Sequence, residues 1–314
     1  MSRVSLVMSG GRVSARHGAG RLARALRRSL RGAALSRARL PAGDLRVELA
    51  SLAEWQAFAT AHPQVRDPAY IQAIAREAGT NGVDSGFLGP IARRDVLVPA
   101  GDYRERLFAA GLNPRQRAVM ELFSEDCRAG DIHGTRIYAH EAVTPFALAF
   151  RGRYPRFLGS EYAPDEKARE RLFPIPSVDI TRSGFPDGAF DFVLSLEILE
   201  HVPDLDAALR DTARILHSGG RFLATFPFAY ESARTDVRAV LEHGQIRHLR
   251  EPEYHGNPVD PSGGSLVFQI PGWDVLARAR SAGFAEARMV FWSSMRKALT
   301  DSHVAGIFVM DARR

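Results

Sequence analysis

The sequence predicts an α/β fold: an open, mostly parallel sheet of seven strands with helices on both faces, preceded by a mainly helical N-terminal extension. Three observations carry this. From Thr135 onward, short apolar runs alternate with segments of helical periodicity. Glycines stop the helical segments, as at Gly219 and Gly220 after the stripe Leu205, Leu209, Thr212 and Leu216. The last two apolar runs are joined by a link too short for a helical crossover, which predicts an antiparallel hairpin at the sheet edge.

The elements follow in chain order. Residues 1–40 hold ten arginines and no acid, so the formal charge of +6 over 314 residues misleads as an average. Taking those ten from the 42 basic residues leaves 32 against 36 acidic ones, so the body is slightly acidic. The arm places Leu22, Leu26 and Leu30 on one helical stripe among arginines. Such a stretch is either a poorly ordered extension, a surface- or nucleic-acid-binding helix, or a targeting peptide. Arginine is this chain's habitual base, with Lys167 and Lys297 its only lysines, and that favours the plain extension.

Residues 41–112 read as a helical cap, with helices in 51–79 interrupted at His62-Pro63 and Asp67-Pro68. A helix is expected from Asn113 to about Cys127, with Pro114 in its first turn. The domain 113–314 then supplies strands near 135–140, 156–161, 175–179, 190–196, 221–227, 286–292 and 304–310. A segment of about 229–270 interrupts it on the substrate side. No run of about 18 apolar residues exists, so no membrane-spanning helix is expected. The lone Cys127 excludes an internal disulfide or a multi-cysteine zinc site and fits a reducing cytoplasm.

In an open parallel sheet, ligands bind beyond the carboxyl ends of the strands. The first strand delivers His140 and Glu141 there, and the second delivers Glu161, with Tyr162 beside it. Glu161 follows Glu141 by 20 residues, the spacing at which an acid meets a ribose hydroxyl. The third strand delivers Asp179, suited to accept from an exocyclic amine, and the fourth delivers Ser195, Leu196 and Glu197.

With these in order, "VDITRSGFPDGAFDFVLSLEILEHVPDLDAALRDTARILHSGGRFLATFPF" (178–228) resembles the class I S-adenosylmethionine (SAM)-dependent methyltransferases, whose sheet is Rossmann-like. The resemblance implies a fold covering roughly 130–314, SAM as cofactor and S-adenosylhomocysteine as product. By position it implies Glu161 for the ribose and Asp179 for the adenine, with Ile180 beside the ring. Ser195 and Leu196 fall where the family contacts cofactor, and His201 closes its "EH" pair.

The departure is the first loop. The family's loop is typically E/D-x-G-x-G-x-G, whereas "YAHEAVTPF" puts Glu141, Val143 and Pro145 at the glycine positions and keeps Thr144. Val143 is β-branched and Pro145 lacks an N–H, so a wider turn or a displaced cofactor is expected. Glu141 is the acid suited to pair with the methionine ammonium. "YRERLFAAGLNPRQRAVMELF" (103–123) is similar to a segment before the domain in some relatives, where cysteines build a metal knuckle. Here Ala109 and Ala110 stand nearby and no thiolates do, while Arg115 and Arg117 are left to lean on domain or substrate.

The segment 229–270 carries the acceptor-side candidates. His255 is the general base, because imidazole titrates near neutrality, with Glu253 or Asp260 to orient it. Tyr254, His201 and Arg115 are the remaining substrate-contact candidates. A metal on His243, His248 and His255 matches no standard spacing, and none is expected. The reading is therefore a cytoplasmic SAM-dependent O-methyltransferase of a sugar, glycolipid or other small natural product. A homodimer is left open and nucleic acid is not expected as a partner. The alternatives are a SAM-binding cyclase or lyase, and an RNA methyltransferase guided by the basic arm.

Overall fold

The computed structural model describes residues 44–163, 165–257, 259 and 263–314. The arginine-rich stretch with its leucine stripe, and Asp260, lie outside them.

Seven strands form one sheet: β1 Leu45–Leu49, β2 Ile137–Ala139, β3 Phe157–Gly159, β4 Phe190–Leu196, β5 Leu216–Thr225, β6 Glu286–Ser293 and β7 Ile307–Arg313. Their order across the sheet is β1-β6-β7-β5-β4-β2-β3. Pairings among β2, β3, β4 and β5 are parallel, and those joining β5, β7, β6 and β1 are antiparallel. The sheet is Rossmann-like and mixed, with its parallel half at the β3 end.

Six of the seven expected strands are present, and the membership of the seventh differs. Residues 175–179 make only a parallel bridge, Ser177 to Glu161, because Pro174 and Pro176 remove ladder donors. The seventh strand is β1, from a stretch expected to be helical. It pairs with β6 from Leu45 opposite Ser293 to Leu49 opposite Met289. The β6–β7 hairpin is antiparallel as expected, yet it is not the edge. β6 buries Met289, Val290, Phe291 and Trp292, and β1 covers what would otherwise be a long apolar edge.

Among the described residues, seven helices of seven residues or more surround the sheet: α1 Leu52–Ala61, α2 Pro68–Asn81, α3 Pro114–Ser124, α4 Pro145–Arg151, α5 Glu166–Leu172, α6 Leu205–Ile215 and α7 Val275–Ser281; a single further turn spans Tyr103–Arg106. The helix expected to run to Gly219-Gly220 stops at Ile215. Leu216 already pairs with Phe190, and a register shift between Phe190 and Phe192 absorbs the misfit.

Strand alternation divides the core in two. Val193, Phe222 and Ala224 face one side, with Leu205, Ala208 and Leu209 of α6, Leu276 of α7 and Trp55 of α1. Phe192, Leu194, Leu196 and Leu223 face the other, with Leu122 and Phe123 of α3 and Phe146 and Phe150 of α4. Phe123 sits in an aromatic cluster, its ring centre 4.6 Å from Phe192 and 4.9 Å from Phe150.

α3 begins with a capping box. The Asn113 side chain accepts the Gln116 N–H and the Gln116 side chain accepts the Asn113 N–H. One turn on, Arg117 is fully buried and donates to the carbonyls of Leu107, Leu112 and Ala298. Burial pushes its guanidinium down to about 9. Arg117 therefore holds the N-terminal segment onto the domain, and Arg115, two residues earlier, turns toward the strand ends.

Candidate functional site

The carboxyl ends of β2, β3 and β4 converge with the turn after β4 and with residues 253–257 and 263–270. β2 ends in His140 and Glu141. His140 is a core residue: its N–H donates to the Leu194 carbonyl, and burial pushes the ring down to about 3, so it is neutral. Glu141 is 5% exposed, and burial pushes its carboxyl up to about 7. The Thr144 hydroxyl donates to its Oε2 at 2.5 Å, while Oε1 has no hydrogen-bond partner.

Thr144 does a second job. Its Oγ1 accepts the Ala147 N–H and caps α4, and Pro145 fills the first helical position, where a missing N–H costs nothing. This is why the loop tolerates proline at a position where glycine was expected.

The close backbone approach expected of that loop occurs elsewhere, at Gly159, the last residue of β3. A Cβ there would stand 2.5 Å from the Glu141 carbonyl oxygen and 3.0 Å from Ala142 Cα. The glycine requirement has moved from the loop to the neighbouring strand. Two residues on, Glu161 turns back and its Oε1 accepts the N–H groups of Ala142 at 2.7 Å and Val143 at 3.2 Å. Burial raises its pKa even against these bonds.

Asp179 lies past the Glu161–Ser177 bridge, and its Oδ1 accepts the Thr181 N–H and hydroxyl. Ile180 beside it is buried and Tyr162 is exposed at the rim. Ser195 is wholly buried with an unpartnered hydroxyl, and Leu196 closes β4 in the apolar core.

Glu197 leaves β4 with φ +54, a left-handed conformation that costs a non-glycine residue about 1–2 kcal/mol. The Thr225 carbonyl holds its N–H at 2.8 Å. Its carboxylate meets Arg104 at 2.8 Å and Arg115 at 3.9 Å. Burial alone would raise its pKa, but the two guanidinium groups outweigh burial and hold it down at about 2. Glu105 ties the pair of arginines together, and Asp301 adds a contact at 3.3 Å to Arg104. Arg104 and Asp301 carried no signal in the sequence; they meet Glu197 only through the fold.

One turn further, Glu200 is fully buried and neither carboxylate oxygen has a hydrogen-bond partner. Burial pushes it up to about 7. His201 Nε2 stands 3.6 Å and His255 Nδ1 3.7 Å from Glu200 Oε1. His255 comes from the short strand Tyr254–His255, which pairs with Ser265–Leu266. The Leu266 carbonyl lies 2.8 Å from His201 Nδ1, so one ladder fixes both imidazoles. The Glu200 carboxylate raises the pKa of His255, and burial lowers that of His201.

Tyr254, on the outer side of this ladder, is exposed. His243 and His248 sit on an exposed hairpin, Ala239–Glu242 with Gln245–His248, and do not join the cluster. The structure thus brings Glu141, Thr144 and Glu161 into one loop system and Glu200, His201 and His255 into another, with Arg115 and Glu197 between.

Comparison with known proteins fits this arrangement. Residues 149–224 match the family described as a methyltransferase domain. Over these residues the chain is similar to SAM-dependent methyltransferases. Such domains use SAM as cofactor. The chain is 31% identical over 91 residues to sarcosine/dimethylglycine N-methyltransferase of Halorhodospira halochloris, covering 29% of this chain and 33% of that protein. It is 32% identical over 101 residues to a sterol 24-C-methyltransferase of Aspergillus fumigatus, covering 31% of this chain and 26% of that protein. The chain therefore spans about a third or less of these relatives.

Among solved structures, a SAM-dependent methyltransferase from Mesorhizobium loti aligns at 17% identity and TM-score 0.37, over 58% of this chain and 92% of that one. The 1,6-didemethyltoxoflavin-N1-methyltransferase of Burkholderia thailandensis, with bound 1,6-didemethyltoxoflavin and S-adenosylhomocysteine, aligns at 16% identity and TM-score 0.36. That alignment covers 64% of this chain and 78% of the other. Among the described residues of the methyltransferase domain chain, no helix is long and apolar enough to cross a membrane.

Proposed function

We infer that this methyltransferase acts on a hydroxyl group of a small molecule, of the sugar, glycolipid or natural-product class. SAM brings a methyl group already activated on a sulfonium, so the protein's work is orientation, desolvation and removal of the acceptor proton. The observation that carries the reading is the buried Glu200 carboxylate facing His201 and His255. The named relatives act on amines and on a sterol carbon, so the choice of oxygen rests on this cluster rather than on likeness.

The residues of the first loop support cofactor binding there. Glu141 Oε1 is a buried carboxylate oxygen without a partner, and a cationic ammonium is the group that fits it. Glu161 and Asp179 are assigned to the ribose and the adenine, with Tyr162, Ile180, Ser195 and Leu196 around them and Thr144 orienting Glu141. On the acceptor side the hydroxyl oxygen attacks the methyl carbon, the sulfur–methyl bond breaks, and the hydroxyl proton leaves toward the Glu200–His255 pair. Arg115, Tyr254 and His201 border the acceptor.

The experiment is incubation of the protein with SAM and a panel of small molecules offering hydroxyl, amine or carbon acceptors, read by mass. A one-methyl gain on a hydroxyl, with turnover lowered in His255→Ala at unchanged SAM affinity, is expected. Methylation of amine or carbon acceptors alone refutes the reading.

A further inference from the structure

We propose that Glu200, His201 and His255 form a binding site for one divalent metal ion of the zinc type, with a coordination position left open toward the acceptor. Among the described residues this is the set whose ligand atoms lie together, all within 4.8 Å of one another. The 3.6 and 3.7 Å separations from Glu200 to the two imidazoles are close to the roughly 3.3 Å edge of a tetrahedron with metal–ligand bonds of about 2.0 Å.

The outer bonds of the imidazoles make the case. His201 Nδ1 faces the Leu266 carbonyl at 2.8 Å, and a carbonyl can only accept, so Nδ1 carries the hydrogen. That leaves the Nε2 lone pair aimed at Glu200. His255 Nε2 lies 3.2 Å from Glu253 Oε1 and donates to it, so in the neutral ring it is the Nδ1 lone pair that faces Glu200, and a cation there takes the place of a ring proton. Arg238 holds the other Glu253 oxygen at 3.1 Å. Metal-binding histidines are oriented in this way, each giving its second N–H to a carbonyl or carboxylate.

Three lone-pair groups therefore converge, and nothing in the described structure donates a hydrogen bond to either oxygen of the fully buried carboxylate at their centre. A cation completes the arrangement. The donors are also braced before any ion arrives. Phe268 N–H donates to the Glu200 carbonyl, and the Gln269 amide donates to the carbonyls of Leu199 and Val202.

The chemistry is that of a two-histidine, one-carboxylate set with N and O donors, suited to zinc and its neighbours rather than to calcium or magnesium. Metal binding stands independently of the acceptor assignment, and the catalytic role of the ion rests on the proposed hydroxyl reading. A bound ion would lower the pKa of an acceptor hydroxyl at its open position; Glu200 and His255 would then serve as ligands in place of accepting the proton themselves, and the hydroxyl proton would pass to solvent.

The test uses the full chain stripped with a chelator and titrated with zinc, with cobalt(II) as a visible probe. One equivalent should bind, with ligand-field absorption that vanishes in His255→Ala. Glu253→Gln should weaken binding about 10- to 100-fold by loosening the outer contact. S-adenosylhomocysteine affinity, unchanged in both variants, shows that they are folded. No stoichiometric zinc, or equal zinc affinity in His255→Ala, overturns the proposal. Zinc binding without any hydroxyl methylation upholds the site and removes the proposed function. Full hydroxyl methylation by zinc-free protein upholds the proposed function and removes the catalytic role of the ion, while the binding site itself stands or falls with the titration.

Discussion

Glu161 and Ala142 are joined across two strand ends: the Glu161 carboxylate accepts the Ala142 N–H at 2.7 Å and takes the Val143 N–H with the same oxygen. The carboxylate assigned to the ribose is thus also the tether of the first loop. Glu161→Ala leaves two loop amides unpaired and is expected to cost about 1–3 kcal/mol. Glu161→Gln keeps an acceptor oxygen and should retain most of that stability. Thermal unfolding of the two variants checks this, and equal losses would contradict the tether.

Gly159 is the second loop determinant. Gly159→Ala puts a methyl group 2.5 Å from the Glu141 carbonyl and should cost about 1–3 kcal/mol by overpacking. The expected companion effect is weaker SAM binding, because Glu141 moves with its carbonyl. Calorimetric titration alongside thermal unfolding measures both, and an unchanged affinity would separate the loop from the cofactor.

Glu141 sets a pH dependence. Its carboxyl titrates at about 7 in the fold, raised by burial from an ordinary 4.5. Between those values the folded state holds the proton more tightly than the unfolded chain, so this group removes stability as pH rises from about 4.5 to 7. Glu141→Gln should therefore raise the melting temperature at pH 8 more than at pH 5. The reverse ordering would contradict the burial assigned to this carboxylate.

Arg104 bears on the turn after β4. Removing it in Arg104→Met leaves Arg115, at 3.9 Å, as the remaining guanidinium partner of the largely buried Glu197 carboxylate. Breaking a buried pair on one side costs about 3–5 kcal/mol. Arg104→Met, Glu197→Gln together should recover part of it. A double-mutant cycle in denaturant measures the coupling, and additive losses would show that the pair is not coupled.

The sheet was legible because parallel strands buried on both faces stand out as apolar runs between helical patterns. β1 carried a signal that the helical reading of 41–112 overrode: Leu45-Arg46-Val47-Glu48-Leu49 alternates apolar and polar with the period of a strand, but it stands directly ahead of a long helical stretch, and what fixes its place is the edge of β6 that it covers. Pro174 and Pro176 were in plain view, and they are why 175–179 forms a bridge and not a strand. In the site, Glu141 and Glu161 were visible from their places at strand ends, and the Glu200–His201 pair from its match to the "EH" position of the family it resembles. His255 stood out by residue type. Its meeting with Glu200 depends on a short ladder 54 residues away in sequence, which no local pattern encodes. No metal was expected because the spacing of His243, His248 and His255 matches no standard site; the first two lie exposed on a hairpin, and the proposed set draws instead on Glu200 and His201.

The central claim is that SAM binds at the Glu141–Glu161–Asp179 end of the sheet. Calorimetric titration of the full chain with S-adenosylhomocysteine tests it most directly. The account predicts one molecule per chain, with affinity lowered tenfold or more in Glu161→Ala and in Asp179→Ala. No heat with the wild-type chain, or the same affinity in both variants, would contradict it.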